Sequence, residues 1–166
     1  KALQGVYYYY LSTADYDAQT YCVTAKYTVV GDALNITVDG FHNGPPGTGG
    51  SFEKVWSMLL KNSDNGNPAQ FKVTAASMPD FLGTIVNFYW QGSDAFSWIS
   101  CYPQANDTYA YEIHGLYKLG STFTGEMINS MQDTYMKEKL NPQNLSLKLS
   151  PHPTSACAKK TRHRIG

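Results

Sequence analysis

The stretch from Cys22 to Asp39 reads CVTAKYTVVGDALNITVD, and apolar and polar residues alternate on both sides of its Gly31-Asp32 turn. One face of each half is apolar: Val23, Ala25, Tyr27 and Val29 in the first, and Leu34, Ile36 and Val38 in the second. A period of two is typical of antiparallel strands with one buried and one hydrated face. The stretch therefore predicts a β-hairpin with an apolar inside.

The same pattern continues in both directions along the chain. It predicts eight strands, at Tyr7–Ser12, Cys22–Val30, Leu34–Asp39, Phe52–Lys61, Gln70–Ser77, Thr84–Trp90, Phe96–Tyr102 and Thr108–Lys118. Turn-rich segments with Gly, Pro, Asn and Asp separate them. Short connections favour an all-β, up-and-down antiparallel sheet, and closing this sheet into a barrel removes its exposed edges. The interior of an eight-stranded barrel either packs with side chains or holds one small ligand.

After Gly120 the period changes to that of a helix. Phe123, Met127, Met131 and Tyr135 recur at every fourth position. This spacing predicts one amphipathic α-helix over about residues 122–140, with its apolar stripe packed on the outside of the barrel. Residues 1–158 are thus expected to form one domain, and the basic residues 159–166 a solvated, disordered tail.

Composition excludes several classes of function. The 13 basic and 13 acidic residues cancel, so a nucleic-acid partner is not expected. No apolar run is long enough for a membrane span. We find no nucleophile motif, phosphate-binding loop or metal-ligand spacing, and we predict no catalytic residue, no metal site and no enzyme. Cys101 as a thiol nucleophile is the least favoured interpretation.

Three Asn-x-Ser/Thr sequons, at Asn35, Asn106 and Asn144, indicate passage through a secretory pathway. The chain opens at Lys1 without Met or a signal-like apolar stretch, which indicates a processed or truncated N-terminus. We therefore expect a secreted glycoprotein.

Five short motifs appear in a characteristic order: Leu3–Tyr8, Cys22–Tyr27, Ser93–Phe96, Trp98–Cys101 and Leu116–Lys118. Together with the helix and the Cys-bearing tail that follow, they resemble the lipocalin family, and within it the apolipoprotein D-like and bilin-binding branch. Tyr7 stands where that family has Trp, and Lys118 where it has Arg. The resemblance implies that these two side chains meet at the closed end of the barrel in a cation–π contact.

The resemblance also implies a disulfide between Cys22 and Cys157. By parity Cys22 shares the outward face with Thr24 and Lys26, which is compatible with a tail that crosses the outside of the barrel. Cys101 is then a free thiol, has lost its partner with an N-terminal segment, or tethers another molecule.

A ligand cavity in the part of the barrel away from Tyr7 is a further implication of the resemblance, since periodicity alone does not separate a lined cavity from a packed core. The expected lining is Tyr9, Tyr27, Val38, Trp56, Met58, Phe71, Val73, Phe88, Trp98, Tyr111 and His114. Such walls suit a bilin, retinoid, carotenoid or fatty acid, and no other cofactor is required. His114 and His42 would each be either a polar contact for the ligand or a satisfied structural histidine.

The sequence thus predicts a secreted carrier of a small hydrophobic molecule. The alternative is an extracellular interaction protein with a filled barrel, which binds a protein or a surface through its loops and exposed aromatic residues. The surplus of aromatic residues would also fit a homo-oligomer.

Overall fold

The computed structural model describes residues 3–13, 20–42, 51–90, 92, 94–121 and 124–149. Within these ranges the chain forms one helix, α1 (Gly125–Lys137), and nine strands. The strands are β1 (Gly5–Ser12), β2 (Thr20–Val30), β3 (Ala33–His42), β4 (Ser51–Asn62), β5 (Gln70–Ala76), β6 (Ile85–Trp90), β7 (Ala95–Pro103), β8 (Tyr109–Lys118) and β9 (Lys148–Leu149). No helix in the described ranges combines the length and hydropathy of a transmembrane span.

The first eight strands close into an antiparallel barrel. Neighbours along the chain pair from β1 to β8, and β1 closes the ring by pairing with β8 as well as with β2. The predicted eight-stranded up-and-down barrel is therefore confirmed. The ninth strand has only two residues and pairs with the C-terminal end of β1, at Leu11 and Ser12. A two-residue strand shows no sequence period, so it was not predicted.

Because the strands reverse direction at each turn, the connections fall into two groups. The connections β2–β3, β4–β5 and β6–β7 meet at one end, which we call the lower end. The connections β1–β2, β3–β4, β5–β6 and β7–β8 meet at the opposite, upper end. Gly5 and Lys118 therefore lie at the lower end, and Ser12 and Tyr109 at the upper end.

Alternation along the strands produces two apolar clusters. The interior cluster fills the barrel and comprises Tyr7, Tyr9, Val23, Ala25, Tyr27, Leu34, Ile36, Val38, Trp56, Met58, Leu60, Val73, Val86, Phe88, Phe96, Trp98 and Leu116. The outer cluster lies under α1 and comprises Tyr8, Tyr10, Leu11, Ala95, Ile99, Ile113, Tyr117, Met131 and Tyr135. Burial of these side chains supplies most of the driving force for folding.

Helix α1 packs on the outside of the barrel, as predicted, through its buried residues Met131 and Tyr135. The hydroxyl of Tyr10 donates to Sδ of Met131 at 2.8 Å, and the hydroxyls of Ser97 and Tyr135 are 2.9 Å apart. The helix is shorter than expected: it begins at Gly125, after the N-cap Thr124, and ends at Lys137. Phe123 lies outside the described residues, as do the tail residues 159–166.

The lower end differs from the expectation. The ring of Tyr7 packs edge-on against Phe96 and Tyr27, with centroid distances of 4.8 and 5.4 Å, and the side chain of Lys118 is exposed. The predicted cation–π contact between Tyr7 and Lys118 is therefore wrong. Two neighbouring aromatic rings bury the Tyr7 ring in the interior, which leaves the strongly hydrated ammonium of Lys118 in water.

Candidate functional site

The lower half of the interior is packed with aromatic rings. Tyr27 and Phe96 are 5.5 Å apart and perpendicular, and Phe88 and Phe96 are 5.7 Å apart. Tyr27 is 1% exposed, and burial, with a smaller contribution from Tyr7, raises its pKa well above the usual value. This half is a packed core, and it contains Tyr27 and Phe88, which were expected to line the cavity in the other half.

Four rings meet in the upper half of the interior, three from the neighbouring strands β1, β7 and β8 and one, Trp56, from β4 on the other side of the barrel. Trp98 pairs with His114 across β7 and β8, and their rings are 6.2 Å apart. The ring of Tyr9 lies 5.4 Å from His114, and that of Trp56 lies 5.9 Å from Trp98 in a perpendicular arrangement. Cross-strand pairing brings Trp98 and His114 together, whereas Trp56 meets Trp98 across the interior of the barrel.

Three polar atoms of the interior cluster are buried without a hydrogen-bond partner in the described part of the chain. They are Nε1 of Trp56, Nε1 of Trp98 and the hydroxyl of Tyr27. Buried Trp and Tyr side chains normally have a hydrogen-bond partner, because a buried polar group without a hydrogen bond costs about 1–3 kcal/mol. The barrel interior therefore presents hydrogen-bond donors that no described residue accepts.

A polar network joins the aromatic wall at the upper end. Nδ1 of His114 is 3.0 Å from Oγ of Ser12, and Nε2 of His114 is 3.2 Å from Oε2 of Glu112. The hydroxyl of Tyr102 also donates to Oε2 of Glu112, at 2.9 Å, and Oγ of Ser100 donates to that hydroxyl at 3.1 Å. Glu112, His114 and Leu116 alternate along β8, which places all three on the interior face.

Two opposing effects set the charge of Glu112. Burial raises its pKa, but the hydrogen bond and charge of His114 and the hydrogen bond of Tyr102 together outweigh burial. The net pKa of Glu112 is lowered from 4.5, so the carboxyl group is ionised at neutral pH. The upper end of the barrel thus contains an ionised carboxylate whose neighbour is His114.

Ser12, His114 and Glu112 are the residue types of a hydrolase triad, but their arrangement does not suit one. In such triads the serine contacts Nε2 and the acid contacts Nδ1, whereas here the two nitrogens are exchanged. Ser12 is also only 1% exposed, so a substrate carbonyl does not reach its hydroxyl. The three residues form a polar part of the wall.

Phe81 lies at the upper end of the barrel. It ends the short 3-10 turn Pro79–Phe81 between β5 and β6 and packs against the interior cluster. Its ring is 5.6 Å from Trp56 and 5.7 Å from Tyr102. Phe81 therefore connects the indole wall to the polar network.

The structure places most of the predicted lining inside the barrel. Tyr9, Tyr27, Val38, Trp56, Met58, Val73, Phe88 and Trp98 belong to the interior cluster, Phe71 packs against it, and His114 contacts Tyr9 and Trp98. The side chain of His42 lies outside what the structure describes.

Tyr111 is the exception, because it lies on the outer face. Its ring packs against the outer cluster and its hydroxyl donates to Oδ1 of Asn141 at 3.0 Å. Residues 111 and 114 of a regular strand point to opposite faces, so an interior His114 excludes an interior Tyr111. The prediction missed Glu112 and Tyr102, although Glu112 shares the parity of His114 and Tyr102 that of Trp98.

The cysteines differ in state. Cys22 is disulfide-bonded, and Cys101 is a half-buried free thiol whose pKa is raised by burial. The predicted partner Cys157 lies outside the described residues. A bulge interrupts the pairing of β2 with β3 between Tyr21 and Thr24, so the parity argument for Cys22 does not hold. A raised thiol pKa also disfavours Cys101 as a nucleophile.

The sequons lie at accessible positions. Asn106 and Asn144 are exposed, with φ of 65° and 51°, and Asn35 is half-buried on β3. Asn35 is flanked by Leu34 and Ile36 of the interior cluster, so its side chain points outward.

Comparisons with known proteins agree on the architecture. No family model matches the sequence, and no curated protein matches it. Solved structures do match. H1 crustacyanin from the lobster Homarus americanus has a TM-score of 0.70 at 15% identity, over 96% of this chain and 81% of that chain. The fold is that of the lipocalins.

Two further lipocalin structures support this assignment. Insecticyanin from the tobacco hornworm Manduca sexta matches with a TM-score of 0.64 and 11% identity, over 94% of this chain and 82% of that chain. The siderocalin Ex-FABP matches with a TM-score of 0.61 and 10% identity, over 93% and 97%. The predicted resemblance is confirmed at the level of the fold, and what the barrel binds has to be argued from its own residues.

Proposed function

We propose that this lipocalin-fold protein is a secreted carrier that binds a small, largely apolar ligand in the upper half of its barrel without chemical conversion. The observation that carries the proposal is the pair of buried indole N–H groups of Trp56 and Trp98, which have no hydrogen-bond partner in the described part of the chain. A ligand that brings an acceptor atom into the barrel would satisfy these donors, while the surrounding rings bury its apolar body.

The free energy available from burying a ligand is adequate for a carrier. Burying ten methylene equivalents would contribute roughly 8 kcal/mol at about 0.8 kcal/mol each. Association costs several kcal/mol, and the hydrogen bonds to the indoles would offset part of that cost. Bilins, retinoids, carotenoids and fatty acids are the candidate ligands, and the siderocalin Ex-FABP, which shares the fold, is described as functioning through dual ligand specificities.

Secretion is proposed on separate grounds. Asn106 and Asn144 are exposed sequon positions, and the outward side of β3 offers a third at Asn35. Cys22 is disulfide-bonded, which suits an oxidising compartment, and we propose Cys157 as its partner.

Titration of the purified protein with biliverdin, retinol and a fatty acid, followed by tryptophan fluorescence, tests the carrier function. We expect saturable quenching by at least one of them. The Trp56→Phe and Trp98→Phe variants should bind that ligand about tenfold more weakly, because each removes a donor. Trp90→Phe is the matched control, since Trp90 is 41% exposed at the lower end and should leave the affinity unchanged.

Absence of saturable quenching by all three ligands, together with no copurified mass in native mass spectrometry, would remove the carrier function. The alternative is an extracellular interaction protein with a filled barrel. One observation favours it, namely a continuous series of ring contacts through the interior. Tyr27 contacts Phe88, Phe88 lies 6.0 Å from Trp98, and Trp98 contacts Trp56. A groove of about 540 Å³ outside the barrel, between α1 and residues 141–147, would then offer a contact surface.

A further inference from the structure

Glu112 gives the proposed ligand site a chemical preference. Its side chain is 30% exposed at the upper end of the barrel, while its neighbour His114 is 4% exposed. The inference that follows rests on the proposed carrier function and narrows the class of ligand.

Two groups of the polar network, the hydroxyl of Tyr102 and Nε2 of His114, contact the same oxygen of Glu112, Oε2. With a neutral imidazole, the hydroxyl of Ser12 donates to Nδ1 of His114, and the Nε2–H group of His114 donates to Oε2 of Glu112. Ser100 donates to Tyr102, which donates to the same Oε2. Every proton of the network is then used, and Oε1 accepts no hydrogen bond from any described residue.

The carboxylate has a histidine as its charged neighbour. Among the described residues, Glu112 forms an ion pair with His114 and with no lysine or arginine. The carboxylate lies at the upper end of the barrel, where it accepts a hydrogen bond from Tyr102. Carboxylates in such surroundings are stabilised by a cationic partner.

Aromatic rings lie next to the carboxyl group of Glu112. Tyr102, which holds the other oxygen, packs on Phe81, and Phe81 packs on Trp56. Electron-rich faces of this kind attract organic cations. Deeper in the barrel, the unpartnered N–H groups of Trp56 and Trp98 point independently to a bound molecule, because both side chains are at least nine-tenths buried.

We propose that the upper end of the barrel is an amine site. The ammonium group of the ligand donates to Oε1 of Glu112 beside the rings of Tyr102 and Phe81, and its body presents an acceptor atom or an aromatic face to the indoles of Trp56 and Trp98. A ligand with a carboxylate at the same end meets a like charge and acceptor oxygens only, so the site discriminates against fatty acids.

Three ligands with one body and different head groups test the proposal: phenylbutylamine, phenylbutanol and phenylbutanoate. Their affinities are measured by isothermal titration calorimetry at neutral pH, where the amine is cationic and the acid anionic. We expect the amine to bind about tenfold or more tightly than the acid, the lower limit for a hydrogen bond to a charged group, with the alcohol between them.

Glu112→Gln keeps an acceptor for Tyr102 and His114 but removes the charge. It should reduce the preference for the amine to within about threefold. Glu138→Gln removes the same charge at an exposed position beyond α1 and should leave the preference intact. The wild-type comparison stands even if Glu112→Gln fails to fold.

The outcomes separate the two proposals. Equal or tighter binding of phenylbutanoate by the wild-type protein overturns the amine site and leaves the carrier function in place. The same conclusion follows if none of the three binds while biliverdin, retinol or a fatty acid does. If no ligand of either set binds, the carrier function fails and the amine site fails with it.

Discussion

The sulfur of Met131 on α1 lies 2.6 Å from the point where a Cβ atom would stand on Gly115 of β8. The ring of Tyr10 is 3.0 Å from the same point. Glycine at 115 therefore lets the helix approach the barrel closely enough for the Tyr10 hydroxyl to reach the Met131 sulfur. The absence of a methyl group at position 115 thus determines how closely α1 packs on the barrel.

Gly115→Ala should destabilise the protein by about 1–3 kcal/mol, because the added methyl group overpacks a buried contact. The free energy of unfolding in urea measures this. Gly125→Ala is the matched control, since a Cβ atom at Gly125 meets nothing within 4 Å and alanine is the better helix former. Equal changes in the free energy of unfolding for the two substitutions would contradict this role of Gly115.

Glu112 should make the stability of the fold depend on pH in the acidic range. Its pKa in the folded protein is lowered from 4.5, so its contribution is present above the unfolded value and is lost as the pH falls through the folded value. Glu112→Gln should therefore destabilise the folded protein at neutral pH. Urea unfolding of both proteins at neutral and acidic pH should show this difference shrinking below pH 4.5. A constant difference across that range would contradict the prediction.

Buried tyrosines should define the alkaline limit of the fold. Burial raises the pKa of Tyr10, Tyr27 and Tyr135, and it raises the pKa of Tyr117 to about 12. A raised pKa means that the stabilisation is complete below the unfolded value of 10.0 and is lost as the pH rises through the folded value. Phenolate absorbance should thus increase in two phases, the later one coinciding with loss of circular dichroism. One phase centred near 10.0 would be the contrary result.

The barrel could be predicted from its sequence because most strands alternate without interruption. Leu34, Ile36 and Val38 were placed inside by parity, and the structure has them there. Parity fails where the pairing shifts. In β1 a bulge between Tyr9 and Leu11 turns both Tyr10 and Leu11 to the outer cluster, and no local sequence signal marks it.

The polar part of the candidate site was not predicted, and the reason is physical. Glu112 and Tyr102 are residue types that normally lie at surfaces or in half-buried positions, so single-sequence reasoning assigns a buried carboxylate only when its partners are known. His114 lies on the same strand as Glu112, two residues away, whereas Tyr102 and Ser100 lie on the neighbouring strand β7. Strand register brings them together, as Ser100 pairs with Glu112 across β7 and β8.

The cysteines allow a counting experiment. Cys22 is disulfide-bonded and Cys101 is a half-buried thiol with a raised pKa. Iodoacetamide should therefore label the native, non-reduced protein once, slowly, at Cys101, because the reactive thiolate is scarce. Denaturation without reductant should speed the same single labelling, and denaturation with reductant should give three labels, one for each cysteine.

Peptide mapping of the non-reduced protein should then recover Cys22 linked to Cys157. In the chain-entropy model a loop of this length contributes about 4–5 kcal/mol, so reduction should lower the urea midpoint markedly. A peptide that links Cys22 to Cys101 would contradict both the free thiol and the proposed pairing. Recovery of Cys22 as a labelled thiol from the non-reduced protein would contradict the disulfide itself.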